Sequence, residues 1–212
     1  MSHVLILGAS GQVGQHVLRQ ALAEPRISHI TAPSRRPLVL DHKLHNPLID
    51  FAAMPTDAAW WQADIVICAL GTTLKLAGSQ AGFYQVDHDY VLQAAQLARA
   101  AGARSFVLNS STGAKLNASS FYLRVKAEIE RDVERLGYPS FTIVRPSLLI
   151  AENRPDRRRG EEWGLALSRL LRPLIPRRLR PIGCAQVAAA MLQAGLQMRP
   201  GCQVIESEQI AA

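Results

Sequence analysis

No stretch of this sequence approaches the roughly 18 consecutive apolar residues that a membrane-crossing helix needs. The apolar run near the N-terminus is too short for a secretory core and has no basic flank, so the expectation is a cytoplasmic chain with no membrane association. Cysteine is scarce too. Cys68, Cys184 and Cys202 lie far apart and form no C-x-x-C pattern, which argues against a disulfide framework or a zinc site and leaves them as small buried hydrophobes. Internal repeats and low-complexity linkers are absent. Acidic residues are outnumbered, 17 Asp and Glu against 24 Lys and Arg, for a net charge of +7. That balance invites a nucleic-acid partner, yet no nucleic-acid-binding motif accompanies it. The arginines at Arg154, Arg157 to Arg159 and Arg172 to Arg180 read instead as solvated surface, some of them serving a phosphorylated cofactor or acidic substrate.

What remains is a chain of 212 residues, 48% apolar, long enough for one sizeable core. Its organising stretch comes first. Val4 to Leu7 is a short apolar run that breaks into Gly8-Ala9-Ser10-Gly11-Gln12-Val13-Gly14 and then a helical pattern from Gln15 to Ala23. A buried parallel strand turning sharply into a helix reads this way. In such a loop the first glycine permits the turn, the second lets a diphosphate approach the backbone, and the third lets helix pack on strand. The unpaired amides and dipole at the helix start then favour an anion. A dinucleotide is the expected ligand.

The second strand, Ser28 to Pro33, ends in Ser34-Arg35-Arg36, with no acidic residue until Asp41. An acid in that region holds the ribose 2′-hydroxyl of NAD, whereas arginine accommodates the 2′-phosphate of NADP. The cofactor expectation is therefore NADP(H). Leu38 to Asn46 reads as a loop or weak hairpin, and Pro47 to Phe51 as a short strand. Trp60-Trp61 sits on a short helical piece as packing. Ile65 to Leu70 is a buried strand ending in Gly71-Thr72-Thr73, a turn that faces the cofactor or is capped by its own threonines. A long helix follows Ser79 to Phe83 and ends at Gly102. Phe106 to Leu108 is a strand running into Asn109 to Ala114, a helix starts near Ser119, and Phe141 to Val144 is a sixth strand before Arg145-Pro146-Ser147.

This alternation predicts an α/β doubly wound parallel sheet, Rossmann-like, as one domain over residues 1–212. Residues 147–212 read as a small C-terminal cap on the substrate side rather than a separate domain. Within them, 154–163 is a charged loop, Gly164 to Leu171 a helix, Pro173 to Pro181 too proline-rich for one, Ala185 to Leu196 a helix, and Gln203 to Ile205 a last strand.

Tyr122 and Lys126 stand four residues apart on one helix, hence on one face. A phenol ordinarily titrates near 10, and a neighbouring cation favours its phenolate, so the pair can move a proton at neutral pH. Ser111 follows the preceding strand and can hydrogen-bond the same substrate oxygen. Lys126 can also bind the nicotinamide ribose.

Gly8 to Gly14, Leu70 to Ser79, Val86-Asp87-His88-Asp89-Tyr90, Ser110 to Ala114, Tyr122 to Glu128 and Arg145-Pro146-Ser147 together resemble the short-chain dehydrogenase/reductase superfamily. The chain is similar to a short, atypical member of its Tat-interacting oxidoreductase-like branch. The resemblance implies NADPH on a Rossmann sheet, with Gly8, Ser10, Gly11, Gln12, Val13 and Gly14 at the diphosphate and Ser34 and Arg35 at the 2′-phosphate. It places Asp50 and Phe51 by the adenine, Leu70, Gly71 and Thr72 along the cofactor, and Pro146 near the nicotinamide. Ser111, Tyr122 and Lys126 would form the catalytic trio, with Ser110 as the alternative serine. Extended relatives carry asparagine where this chain has Asp87, which either pairs with Lys126 or points away. The length disfavours nucleotide-sugar chemistry. The expected activity is hydride transfer to or from a small carbonyl or alcohol by a monomer or homodimer; the alternative is a non-catalytic NADP(H)-responsive regulator read by a protein partner.

Overall fold

A computed structural model of the chain describes residues 1–150, 178 and 180–210. Its first strand, β1 (Ser2–Leu7), shows why the sequence begins with a continuous apolar run. Val4 and Ile6 point into one core and Leu5 and Leu7 into the other, all four fully buried. A central parallel strand covered on both faces has no polar side to display.

After β1 come helix α1 (Gly14–Ala23) and strands β2 (Ile27–Thr31) and β3 (Leu44–His45). The chain then crosses to β4 (Ile65–Cys68), the short helix α2 (Leu74–Ala77), and a long helical stretch. That stretch comprises α3 (Gln80–Tyr84), a π turn (Gln85–Asp89) and α4 (Tyr90–Ala100). Next are β5 (Ser105–Asn109), α5 (Phe121–Glu134), β6 (Ser140–Arg145) and a small parallel pair, β7 (Leu149–Ile150) with β8 (Ile182–Gly183). Helix α6 (Cys184–Gln197), strand β9 (Gly201–Glu206) and α7 (Ser207–Ile210) complete the described chain.

The main sheet runs β3-β2-β1-β4-β5-β6-β9, and every pairing in it is parallel. This is the expected Rossmann-like doubly wound α/β fold. Strand order reverses between β1 and β4, where Leu7 lies beside Cys68. Connections leaving these two strands diverge to opposite sides, so a crevice opens beyond their carboxyl ends. On one face α1 and α6 cover the sheet through Val17, Ala21, Val187, Ala188 and Met191. On the other, α4 and α5 do so through Val91, Ala94, Ala98, Ile129 and Val133. Burying side chains of this size contributes roughly 1.5–3 kcal/mol each for Val, Ile and Met.

Two expectations are corrected. Pro47 to Phe51 forms no strand: Ser34 and Leu48 make one isolated bridge, and Asp50 accepts the Ala52 amide to cap a 3-10 turn at Phe51–Ala53. Pro47 has no N–H for a ladder, and the Asp50 cap bends the chain away. The paired piece is instead Leu44–His45, inside the stretch read as a loop or weak hairpin, and it runs parallel to β2. Of the tail expected to cap the substrate side, α6 packs on the sheet as core and β9 pairs with β6 as its outer strand. The expected loop 154–163 and helix Gly164 to Leu171 lie outside the described residues, as does most of Pro173 to Pro181.

Candidate functional site

The glycine loop is closed by two backbone hydrogen bonds, Gly11 N–H to the Gly8 carbonyl at 2.9 Å and Gln15 N–H to the Gly11 carbonyl at 3.0 Å. Gly8 has a φ of +82°, and a Cβ there would sit 2.6 Å from the Leu70 nitrogen. Gly14 is more constrained: its Cβ would lie 2.0 Å from the Gly8 oxygen. Strand, helix and the β4 turn thus meet as bare backbone. Ser10, Gly11 and Gln12 remain exposed at the start of α1, while Val13 turns into the core. A diphosphate fits such a cradle, with first-turn amides and the positive end of the helix dipole facing it.

Beyond β2, Arg35 and Arg36 are exposed, and neither guanidinium has a partner among the described residues. Ser34 is buried and engaged: its hydroxyl donates to the Arg36 carbonyl at 2.6 Å and accepts from Asn46 Nδ2 at 2.8 Å. Its present work is to shape the loop that presents the arginines. Asp50 is exposed, and the Phe51 ring is buried against Tyr90, 6.4 Å between centroids.

Leu70, Gly71 and Thr72 follow β4 after Ala69. Behind them stands Asp87, on the π turn and 2% exposed. One of its oxygens accepts the Thr72 N–H at 2.7 Å and the other contacts Lys126 Nζ at 2.8 Å. Lys126 is itself only 6% exposed. Burial is the largest influence on its ammonium and pushes the pKa down, but the Asp87 carboxylate and the Tyr122 phenol push it up, and the net value is raised. Lys126 Nζ lies 5.9 Å from the Tyr122 ring centre. The expected pair therefore shares one face of α5, and Phe83 packs against the Tyr122 ring at 5.7 Å.

The two serines separate cleanly. Ser110 is buried, and its hydroxyl donates to Glu130 in a short hydrogen bond. Glu130 also takes Arg145 Nη2 at 2.6 Å and Nε at 3.0 Å, and Arg145 Nη1 reaches Glu206 at 3.0 Å. This network holds the Arg145 guanidinium well above its usual range, chiefly through the Glu130 hydrogen bonds. Ser111 has only a marginal contact, 3.4 Å to the Thr112 carbonyl, and is half-buried. Ser111 is thus the serine whose hydroxyl is free to turn to a ligand. Pro146 is buried beside it, its carbonyl accepting the Thr112 amide at 2.9 Å. Sequence reasoning missed Glu130, Arg145 and Glu206; the one available signal was that Glu130 continues the spacing of Tyr122 and Lys126 by another turn.

A family model described as NAD(P)H-binding matches residues 8–170. The chain belongs to this NAD(P)H-binding family. Among curated proteins it is 39% identical to protein HTATIP2 of Rattus norvegicus over 163 residues, covering 74% of this chain and 66% of that protein. It is 35% identical over 167 residues to protein fmp52, mitochondrial, of Emericella nidulans, covering 74% and 71%. Among solved structures, MoeE5 in complex with UDP-glucose and NAD superposes with a TM-score of 0.73 at 17% identity, over 95% of this chain and 74% of that one. A putative NAD-dependent epimerase/dehydratase from Bacillus halodurans gives 0.69 at 16% identity over 99% and 98%. At such identities these structures show that this family member has their fold. NAD(P) binding and an oxidoreductase-like fold are what the comparisons establish for it. No helix among the described residues is long and apolar enough to cross a membrane.

Proposed function

We propose that the protein is an NADP(H)-dependent oxidoreductase of the short-chain dehydrogenase/reductase type, acting on a small carbonyl or alcohol. The observation that carries this is the buried, charged Lys126 beside Tyr122 on the helix behind the nucleotide crevice. An ammonium is costly to bury, and a site that holds one next to a phenol is equipped to move a proton. Tyr122 donates its proton to the substrate oxygen during reduction and takes it back during oxidation. Ser111 donates a hydrogen bond to the same oxygen and fixes its direction. Lys126 lowers the cost of negative charge on the phenol oxygen and offers its ammonium to the nicotinamide ribose. The bound dinucleotide supplies or receives the hydride.

Preference for the phosphorylated cofactor rests on Arg35 and Arg36, exposed and unpaired among the described residues where an NAD site would carry an acid. Calorimetric titration with NADPH and NADH tests it. NADPH should bind the more tightly, and Arg35→Ala should weaken it about tenfold while leaving NADH unchanged. Absence of any dinucleotide binding would overturn the reading. A second prediction concerns Tyr122→Phe, which should cut carbonyl reduction by about 10²–10⁴-fold with NADPH affinity nearly intact. Retained turnover would remove Tyr122 from the acid/base role.

A further inference from the structure

We propose that the site takes an amphipathic substrate: a carbonyl compound whose hydrocarbon chain carries an anionic head, carboxylate or phosphate, received at the mouth of the crevice by Lys75 and Lys115. This deepens the oxidoreductase reading above and rests on it for the reacting carbonyl. Single exposed apolar side chains are ordinary on a protein surface, whereas clustered ones mark ligand grooves. Leu74, Leu76, Leu116 and Leu148 are between 43% and 80% exposed. All four stand on the connections that leave the carboxyl ends of β4, β5 and β6, the end of the sheet where the crevice opens. The crevice therefore has an apolar rim.

Two arms of this rim are tied to the reacting groups. Phe83 packs on the Tyr122 ring at 5.7 Å, and its neighbour Gly82 lets α2 close in, since a Cβ there would lie 2.7 Å from the Ala77 carbonyl oxygen. Leu74, Lys75 and Leu76 on α2 thus stand beside the packing partner of Tyr122. On the other arm the Ser111 carbonyl accepts the Ala114 amide at 3.1 Å, and Lys115 and Leu116 follow at once. The charges on both arms have one sign. Residues 69–86 and 109–127 contain no Asp or Glu. Deeper in, Lys126 and Arg145 are matched by Asp87 and Glu130. Lys75 and Lys115 are exposed, and neither has an ion pair among the described residues. Arg124 adds a third cation, its guanidinium bonded only to the Ala118 and Ser119 carbonyls. A cleft lined by one sign of charge draws the opposite sign. A chain lying on the leucines with its anionic head at the lysines leaves its carbonyl to reach Ser111 and Tyr122.

The test is calorimetric titration of the NADPH-saturated protein with octanoate, octyl phosphate and octanamide, for the wild type and for a double variant, Lys75→Gln with Lys115→Gln. Octanamide has the same chain and no charge. Octanoate or octyl phosphate should bind the wild type about fivefold more tightly than octanamide, as two exposed ion pairs together provide, and the tighter of the two identifies the head group. In the double variant all three should bind alike, at the wild-type affinity for octanamide. Equal binding to the wild type, a preference that survives in the double variant, or no binding of any of the three would overturn the inference. Failure of the wild type to bind NADPH overturns the cofactor reading, and the inference with it. NADPH binding and the anion preference without reduction of any carbonyl compound would instead overturn the oxidoreductase reading and uphold the lysine site.

Discussion

Ser110 and Ser111 are neighbours of identical chemistry, and the structure gives them opposite duties. Ser110 donates into a carboxylate that is also gripped by Arg145, so its removal leaves a buried acceptor one donor short. Ser110→Ala should therefore cost about 1–3 kcal/mol of stability. Ser111 makes only the 3.4 Å contact with the next residue's carbonyl. Ser111→Ala should leave stability within about 0.5 kcal/mol and cut turnover by about 10²–10³-fold. Urea unfolding beside a turnover assay separates them. If Ser110→Ala instead lost turnover at unchanged stability, the serine that meets substrate would have been misassigned. The same contrast shows how residues can be legible in type and not in direction, because both serines lie just past the end of β5 and only the packing of α5 decides which one faces inward.

At the scale of elements, the strands of the central sheet were legible because burial on two faces leaves an unbroken apolar run, as Val4 to Leu7 and Ile65 to Cys68 both show. Helix α5 was legible because Val125, Ile129 and Val133 recur at helical spacing and all three are buried. β3 was not. Two residues, Leu44 and His45, are too few to display a period, and their strand character comes from hydrogen bonds given by β2. The π turn was equally hidden, since one inserted residue changes the helix phase without changing composition, and the Asp87 pairing depends on that phase. The glycine loop could be read from spacing alone because its contacts are local. The Glu130, Arg145 and Glu206 network could not, because it joins α5 to two strands whose adjacency the sequence does not state. In α6, Gly195 reads as an ordinary weak point in a helix. A Cβ there would stand 2.8 Å from Ile65 Cγ2, so that glycine is where the helix rides closest on β4.

Across the described residues, several thiol and phenol protons share one sign of pH dependence. Burial pushes the Cys68 thiol from its ordinary 9.0 up to about 12, and burial followed by the Glu128 carboxylate pushes the Tyr84 phenol from 10.0 up to about 12. Burial raises Tyr138 as well, whose hydroxyl donates to the Ala95 carbonyl at 2.6 Å. Unfolded, these groups release protons at their ordinary values while the folded chain retains them, so the native state binds more protons and stability falls as pH rises. Lys126 acts in the same direction: its pair with Asp87 contributes below the ordinary lysine value and is lost as pH climbs through the raised one. The acid side behaves oppositely. Hydrogen bonds from Arg131 lead in holding the Asp132 carboxyl down at about 2, so its contribution is present above the ordinary carboxylate value of 3.8 and lost below it. Burial holds the His3 imidazole below its ordinary 6.5, so stability in urea should rise up to about pH 7, stay level to about 8.5 and decline from about pH 9, where Cys68 begins to differ between the two states. That thiol alone is worth at most about 1.4 kcal/mol per pH unit. Cys68→Ala should make the decline shallower without moving its start, because burial also raises the Cys202 thiol from 9.0 to about 11, whereas Cys68→Ala with Cys202→Ala should shift the start by about one unit, to where the phenols take over; a double-variant curve that matched the wild type would show that the thiols do not set the alkaline limit.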